Sequence, residues 1–208
     1  NSKINTLDNL CRRGSYINYE RLKRYKIKNY KFNKKDYSKI KKLPKYDLII
    51  DCCAEAAVEV SKKDVDRVFN TNLIGTFNLL KKCVANKSSL IFLSSSRVYS
   101  INLLDKLKSK IKKNIKKHFL IDKLLSTNGA KSIYGFTKFS SEELIKEYSY
   151  LFKLKYLLNP LDFYEWINVM TGGFPEPYTF GKRLLKYIES SSPDYDVLLD
   201  NQSHQLLL

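Results

Sequence analysis

Apolar positions along this chain follow two patterns in alternation. Short unbroken apolar runs mark buried strands, and runs with a period of three to four residues mark helices. Tyr46-Asp47-Leu48-Ile49-Ile50-Asp51-Cys52-Cys53-Ala54 reads as a strand buried on both faces. Ser89-Leu90-Ile91-Phe92-Leu93 reads as another, and it runs into Ser94, Ser95 and Ser96. Leu154-Lys155-Tyr156-Leu157-Leu158-Asn159 predicts a third strand. Weaker strands are expected within residues 1–10, ending in an acid at Asp8, and near 27–32. Between them, Val65, Val68, Phe69, Leu73, Phe77, Leu80 and Val84 share one face of a helix over 62–84, which Asn72 and Gly75 interrupt. A shorter helix is expected over 16–25, and a lysine-rich turn ends at Pro44. Phe136, Phe139, Leu144, Ile145, Tyr148 and Leu151 predict a helix that begins near Tyr134. Residues 101–133 read as a lysine-rich amphipathic insertion, and the tail predicts a helix over 179–190 and a strand over 195–199. Strand and helix alternate, so the expected class is α/β, a mostly parallel sheet with helices on both faces.

Length and composition narrow the picture only slightly. A chain of 208 residues can bury one good core and carry an appendage, and its apolar fraction of 43% is ordinary for a globular protein. The formal net charge of +17 arises from 38 Lys+Arg against 21 Asp+Glu. These lysines are scattered and do not alternate with stacking aromatics, so nucleic acid is not the expected partner. The exception is a patch of Lys106, Lys108, Lys110, Lys112, Lys113, Lys116 and Lys117. It keeps open the alternative of a basic module that binds nucleic acid or acidic lipid. Cys11, Cys52, Cys53 and Cys83 lack zinc-ligand spacing, and His118 and His204 do not complete a set, so no metal is expected. With no signal peptide evident, a reducing cytoplasm is the expected compartment. No apolar run approaches the roughly 18 residues of a membrane span.

The chemistry concentrates in Ser132-Ile133-Tyr134-Gly135-Phe136-Thr137-Lys138. Tyr134 and Lys138 lie four apart and share a helix face. An ammonium near a phenol favours phenolate, which would lower the tyrosine pKa and make Tyr134 a usable general acid/base. A core tyrosine beside a solvated lysine would give the same spacing, so the pair alone does not decide. Ser94, Ser95 and Ser96 end a buried strand, and open α/β sheets place ligands at the carboxyl ends of their strands. Asp8 also ends a strand. It could accept hydrogen bonds from an adenosine ribose, or simply cap a helix. The chain holds seven glycines, and none forms a phosphate-binding loop.

Together these blocks resemble the extended short-chain dehydrogenases/reductases, the family of NAD-dependent nucleotide-sugar epimerases and dehydratases. The matching blocks are Leu7-Asp8-Asn9-Leu10-Cys11-Arg12-Arg13-Gly14-Ser15, Cys53-Ala54-Glu55, and Asn70-Thr71-Asn72-Leu73-Ile74-Gly75-Thr76-Phe77-Asn78-Leu79-Leu80. The fourth joins Ser94-Ser95-Ser96-Arg97-Val98-Tyr99 to Tyr134-Gly135-Phe136-Thr137-Lys138 and Glu142. The first block and the long segment before Tyr134 look most like CDP-paratose/CDP-tyvelose 2-epimerases. The resemblance implies a Rossmann-like domain over 1–159, bound NAD and a nucleotide-sugar substrate. It implies that Tyr134 is the acid/base on a sugar hydroxyl, that Lys138 holds the nicotinamide ribose, and that Ser95 bonds the same sugar oxygen. Asp8 and Asn9 would meet the adenosine ribose with Arg12 near it. Ala54 would line the cofactor, and Asn72 would tie its helix to the active-site strand. Hydride would pass from the sugar to the nicotinamide and back, and a homodimer would form through the 62–84 and 134–150 helices.

Three departures accompany the match. The first strand and its glycine-rich loop are lacking, which implies an incomplete, N-terminally truncated NAD site and little or no activity for the fragment. The Gly-Asp expected after the third strand has no counterpart near Phe32-Asn33, and Asp51 stands where many relatives carry His. Beyond Asn159 the match stops. The blocks Thr171–Arg183 and Asp194–Gln202 resemble the N-terminal domain of glycosyltransferases that use sugar nucleotides. Residues 160–208 are therefore expected to be a separate tail, with a glycosyltransferase-related protein as the other alternative.

Overall fold

The computed structural model describes residues 3–56, 60, 63–100, 102, 126–159 and 197–200. The basic patch at 106–117 and the 179–190 helix lie outside the described residues. The strands are β1 (Ile4–Leu7), β2 (Lys28–Tyr30), β3 (Leu48–Asp51), β4 (Ser89–Leu93), β5 (Tyr156–Asn159) and β6 (Val197–Asp200). The helices are α1 (Ser15–Arg24), α2 (Tyr37–Lys41), α3 (Val65–Phe69), α4 (Gly75–Asn86) and α5 (Ile133–Phe152). All strand pairs are parallel, in the order β2-β1-β6-β3-β4-β5. This is the α/β sheet that the alternation of patterns predicts. The expected lysine-rich turn before Pro44 is instead the short helix α2, whose N-terminus Asp36 caps by accepting the Lys39 N–H.

The centre of the sheet has an unexpected origin. The slot between β1 and β3 is filled by β6, from the far end of the sequence. Ile4 and Leu48 both pair with Val197, and Leu7 and Asp51 both pair with Asp200. Vacant, that slot would leave the facing N–H and C=O groups of two core strands without partners. Val197-Leu198-Leu199 supplies the continuous apolar run that a strand buried on both faces requires.

Side chains alternate across the sheet. Leu7, Ile49, Leu90 and Phe92 pack with Ile40 of α2, Leu79, Leu80 and Cys83 of α4, and Ile145 of α5. Leu48, Ile50 and Ile91 occupy the alternate positions and are also buried, so both faces are covered. The predicted 62–84 helix is broken where the sequence interrupts it. A π-helical turn, Asn70–Ile74, separates α3 from α4 and turns Thr71 and Asn72 inward. The face of α5 differs from the expected apolar stripe. Its buried residues are Tyr134, Gly135, Thr137, Lys138, Ser141 and Ile145, while Phe136 and Leu151 are exposed. Among the described residues, no helix is long and apolar enough to cross a membrane.

One ion pair lies wholly inside this core. Lys34 and Asp51 are both inaccessible to solvent, and Lys34 Nζ sits 2.7 and 2.9 Å from the two Asp51 carboxylate oxygens. Thr76 Oγ1 donates to Asp51 at 2.8 Å, Cys53 N–H donates at 3.1 Å, and Lys34 also reaches the Cys53 carbonyl at 3.2 Å. The lysine stem crosses directly over Gly75. A Cβ there would lie 2.5 Å from Lys34 Cγ and 2.7 Å from its Cε. Removing one partner leaves a buried charge without compensation. Lys34→Met is therefore expected to destabilise the fold by about 3–5 kcal/mol, and the double variant Lys34→Met/Asp51→Leu by much less. Urea denaturation midpoints check this; a single variant as stable as the wild type would show that the pair is not needed.

Candidate active site

Parallel strands bring their carboxyl ends to one edge of the sheet. Asp8 follows β1, Cys52 to Glu55 follow β3, and Ser94 and Ser95 follow β4. Helix α5 lays Tyr134 and Lys138 against the same edge, next to the 3-10 turn Ser96–Val98. The three residues expected to act together do come together. The Tyr134 phenol is buried, and the Ser95 hydroxyl is near enough to lower its pKa. Ser95 Oγ also accepts the Arg97 N–H at 3.2 Å. Lys138 Nζ donates to the Leu93 carbonyl at the end of β4 and stands 3.8 Å from the centroid of the Phe92 ring.

The electrostatics correct one expectation. Lys138 does not act on the phenol; its ammonium is directed at a main-chain carbonyl. Burial pushes the Tyr134 pKa up, opposed by the Ser95 hydroxyl and by the positive charge of Arg97. The phenol therefore keeps its proton at neutral pH. Burial draws the Lys138 ammonium down to about 8, with Asp51 opposing and Lys34 adding to the shift.

Two devices fix α5 in place. The first is Asn72. Its side-chain oxygen accepts the Glu55 N–H at 2.7 Å, while its Nδ2 donates to the Glu55 carbonyl at 3.3 Å and to Thr137 Oγ1 at 3.0 Å. Thr137 Oγ1 in turn donates to the Tyr134 carbonyl at 2.8 Å. Asn72 thus ties the loop after β3 to the helix turn that carries Tyr134. The second device is Gly135. A Cβ at this position would lie 2.2 Å from the Arg97 carbonyl oxygen. The helix can approach the 3-10 turn only because that Cβ is absent. Ser132 caps the helix by accepting the Gly135 N–H at 3.0 Å. Farther along, Glu142 accepts from the Ser94 hydroxyl, and burial raises its carboxyl above the usual range.

The far end of the cleft is organised by an acid that sequence reasoning did not assign. Glu55 is nearly buried and bridges Arg12, at 2.9 Å, and Arg67, at 2.8 Å. Arg12 also donates to the Ala54 carbonyl at 3.2 Å. Asp8 accepts the Leu10 N–H at 2.7 Å, and burial raises its carboxyl against that bond and the charge of Arg12. Asn9 accepts the Cys11 N–H at 3.1 Å, so its side chain shapes the loop. Asp8, Asn9, Arg12 and Ala54 thus follow β1 and β3, while Ser95 follows β4 and Tyr134 and Lys138 lie on α5. Glu55, Arg67, Thr137 and Arg97 were missed. Glu55, Arg97 and Thr137 stand inside the recognised blocks, but nothing local in the sequence pairs them with distant partners.

Gly135→Ala is expected to push α5 away from the 3-10 turn, part Tyr134 from Ser95 and cost about 1–3 kcal/mol of stability. A thermal melt that matches the wild type would show that the close approach is not a constraint.

The sequence profile of the NAD dependent epimerase/dehydratase family matches residues 3–160. No curated protein matches significantly. Among solved structures, the chain is similar to the UDP-Glc/GlcNAc 4-epimerase of Campylobacter jejuni, at 20% identity and a TM-score of 0.60, covering 76% of this chain and 45% of that one. It is similar to the UDP-N-acetylglucosamine 4-epimerase of Methanobrevibacter ruminantium, at 23% identity and a TM-score of 0.57, covering 75% and 46%. A dTDP-glucose 4,6-dehydratase from Streptomyces venezuelae, solved with NAD, aligns at 17% identity and a TM-score of 0.58, covering 84% and 55%. The chain thus spans about half the length of the solved structures it matches. At these identities the structural likeness shows the Rossmann-like fold. The profile match covers most of the sequence, and by it this chain belongs to the NAD dependent epimerase/dehydratase family.

Proposed function

We propose that residues 1–159 form the cofactor-binding part of an enzyme that epimerises or dehydrates a nucleotide sugar with NAD, and that 160–208 is an appended segment lending the sheet one strand. The observation that carries this reading is the buried Tyr134 phenol, near the Ser95 hydroxyl and on the same helix face as Lys138, at the carboxyl end of β4. The residues present fit the two ends of a dinucleotide. Asp8 offers a carboxylate at the end of β1, and Tyr134, Lys138 and Ser95 stand together at the end of β4. Between these ends lies the terminus of β6 at Asp200, and the residues that follow are outside the described set.

Each residue has a role its position supports. Tyr134, protonated at neutral pH, gives its proton to a sugar oxygen, and the phenolate so formed takes one back from a sugar hydroxyl. Ser95 holds the same oxygen. Lys138 holds the nicotinamide ribose, while Asp8, Asn9 and Arg12 meet the adenosine ribose beside Ala54. Asn72 positions Tyr134 through Thr137. NAD, when bound, supplies the hydride acceptor, and the protein contributes placement and charge.

The test incubates the full chain with NAD and UDP-, CDP- or dTDP-linked glucose and follows the products by NMR. Tyr134→Phe is expected to lower turnover by about 10²–10⁴-fold. Equal turnover by Tyr134→Phe would sink the assignment, as would failure of the wild type to bind NAD by calorimetry. NAD affinity is expected to fall as pH rises through about 8, where Lys138 loses its proton. Calorimetry across that range checks this, and Lys138→Met should lack the limb.

A further inference from the structure

One charge at this cleft has no role in the assignments above. Of the nearby cations, Arg12 and Arg67 are committed to Glu55, Lys34 to Asp51 and Lys138 to the Leu93 carbonyl. Arg97 differs. Its side chain is exposed, and its guanidinium makes no hydrogen bond or ion pair among the described residues. Its position is nonetheless fixed. It sits mid-turn in Ser96–Val98, its N–H bonds Ser95 Oγ, and its carbonyl and Cβ pack against Gly135, the residue after Tyr134. An Arg on a main chain braced against Ser95 and Gly135, with its charge felt at the Tyr134 phenol, is a free cation beside the groups assigned to the sugar.

We propose that Arg97 is a substrate-binding residue that takes an anionic group of the sugar nucleotide and so orients the sugar against Tyr134 and Ser95. The inference rests on the sugar-nucleotide reading above. A guanidinium suits the task. Its planar fork of donors meets a carboxylate or phosphate with two parallel hydrogen bonds, and it stays charged at any working pH. Two sources could supply such an anion: a carboxylate on the sugar, as in a uronic acid, or the diphosphate that links sugar to nucleoside. Its charge is felt at the Tyr134 phenol, where it opposes the rise that burial imposes.

Calorimetry on the full chain with UDP-glucuronate and UDP-glucose separates the sources. If Arg97 meets a sugar carboxylate, the wild type should bind UDP-glucuronate about tenfold or more tighter than UDP-glucose, and Arg97→Met should abolish that preference. If it meets a phosphate, Arg97→Met should weaken both ligands alike, by about tenfold. In either case Arg97→Lys, which keeps the charge and controls for folding, should retain part of the effect. Arg97→Met affinities equal to those of the wild type for both ligands would overturn this inference and leave the enzyme reading intact. A wild-type chain that binds neither sugar nucleotide would overturn both.

Discussion

The geometry of the cleft depends on a single side-chain amide. Asn72 satisfies both main-chain groups of Glu55 and spends its remaining donor hydrogen on Thr137. At 2% exposure it has no water to fall back on, so each bond must be made within the protein. The π-helical turn is what makes this possible. A regular helix through 65–86 would present its residues at fixed angular steps. The extra residue in Asn70–Ile74 turns the amide inward, and helix α4 then resumes. A local irregularity in one helix thereby fixes the position of a second helix and the tyrosine it carries.

Beneath that clamp the core is unusually polar. Two departures from the family pattern, near Phe32-Asn33 and at Asp51, turn out to be neighbours. Lys34 follows the first directly and forms the buried ion pair with the second. Asp51 also holds the Cys53 N–H, so the pair braces the loop from which Ala54 and Glu55 reach the cleft. It is close enough to Lys138 to influence its charge. The same logic explains the buried face of α5. Thr137 and Ser141 sit where apolar residues were expected, and each donates to a main-chain carbonyl of its own helix, Thr137 to Tyr134 and Ser141 to Thr137. Thr137 and Ser141 can occupy this interior because each has a partner, whereas Phe136 and Leu151 are exposed.

The sheet shows a comparable economy. A parallel sheet binds ligands where its strands end, so its central strand matters most to a dinucleotide. Here that position belongs to β6, and its carboxyl end carries Asp200 where a phosphate-binding turn would hold glycine. The segment that looked like a foreign tail is, for four residues, the middle of the fold. Its apolar run reads as a strand from sequence alone. Its neighbours do not, because pairing across nearly 200 residues leaves no local trace.

Much of this protein was legible in its residues. Periodicity placed the principal strands and helices, including the break at Asn72 and Gly75. The spacing of Ser95, Tyr134 and Lys138, with the family blocks around them, identified the residues that now meet in space. Short-range patterns carry that information because a strand or helix is built from neighbours in sequence. Tertiary structure decided the rest. It directed Lys138 to the Leu93 carbonyl and left Arg97 as the cation acting on the phenol. It joined Lys34 to Asp51 and Glu55 to two arginines, and it placed β6 in the centre. Each of these outcomes depends on burial and on partners distant in the chain, and a side chain's charge, partner and exposure exist only once the chain has folded around it.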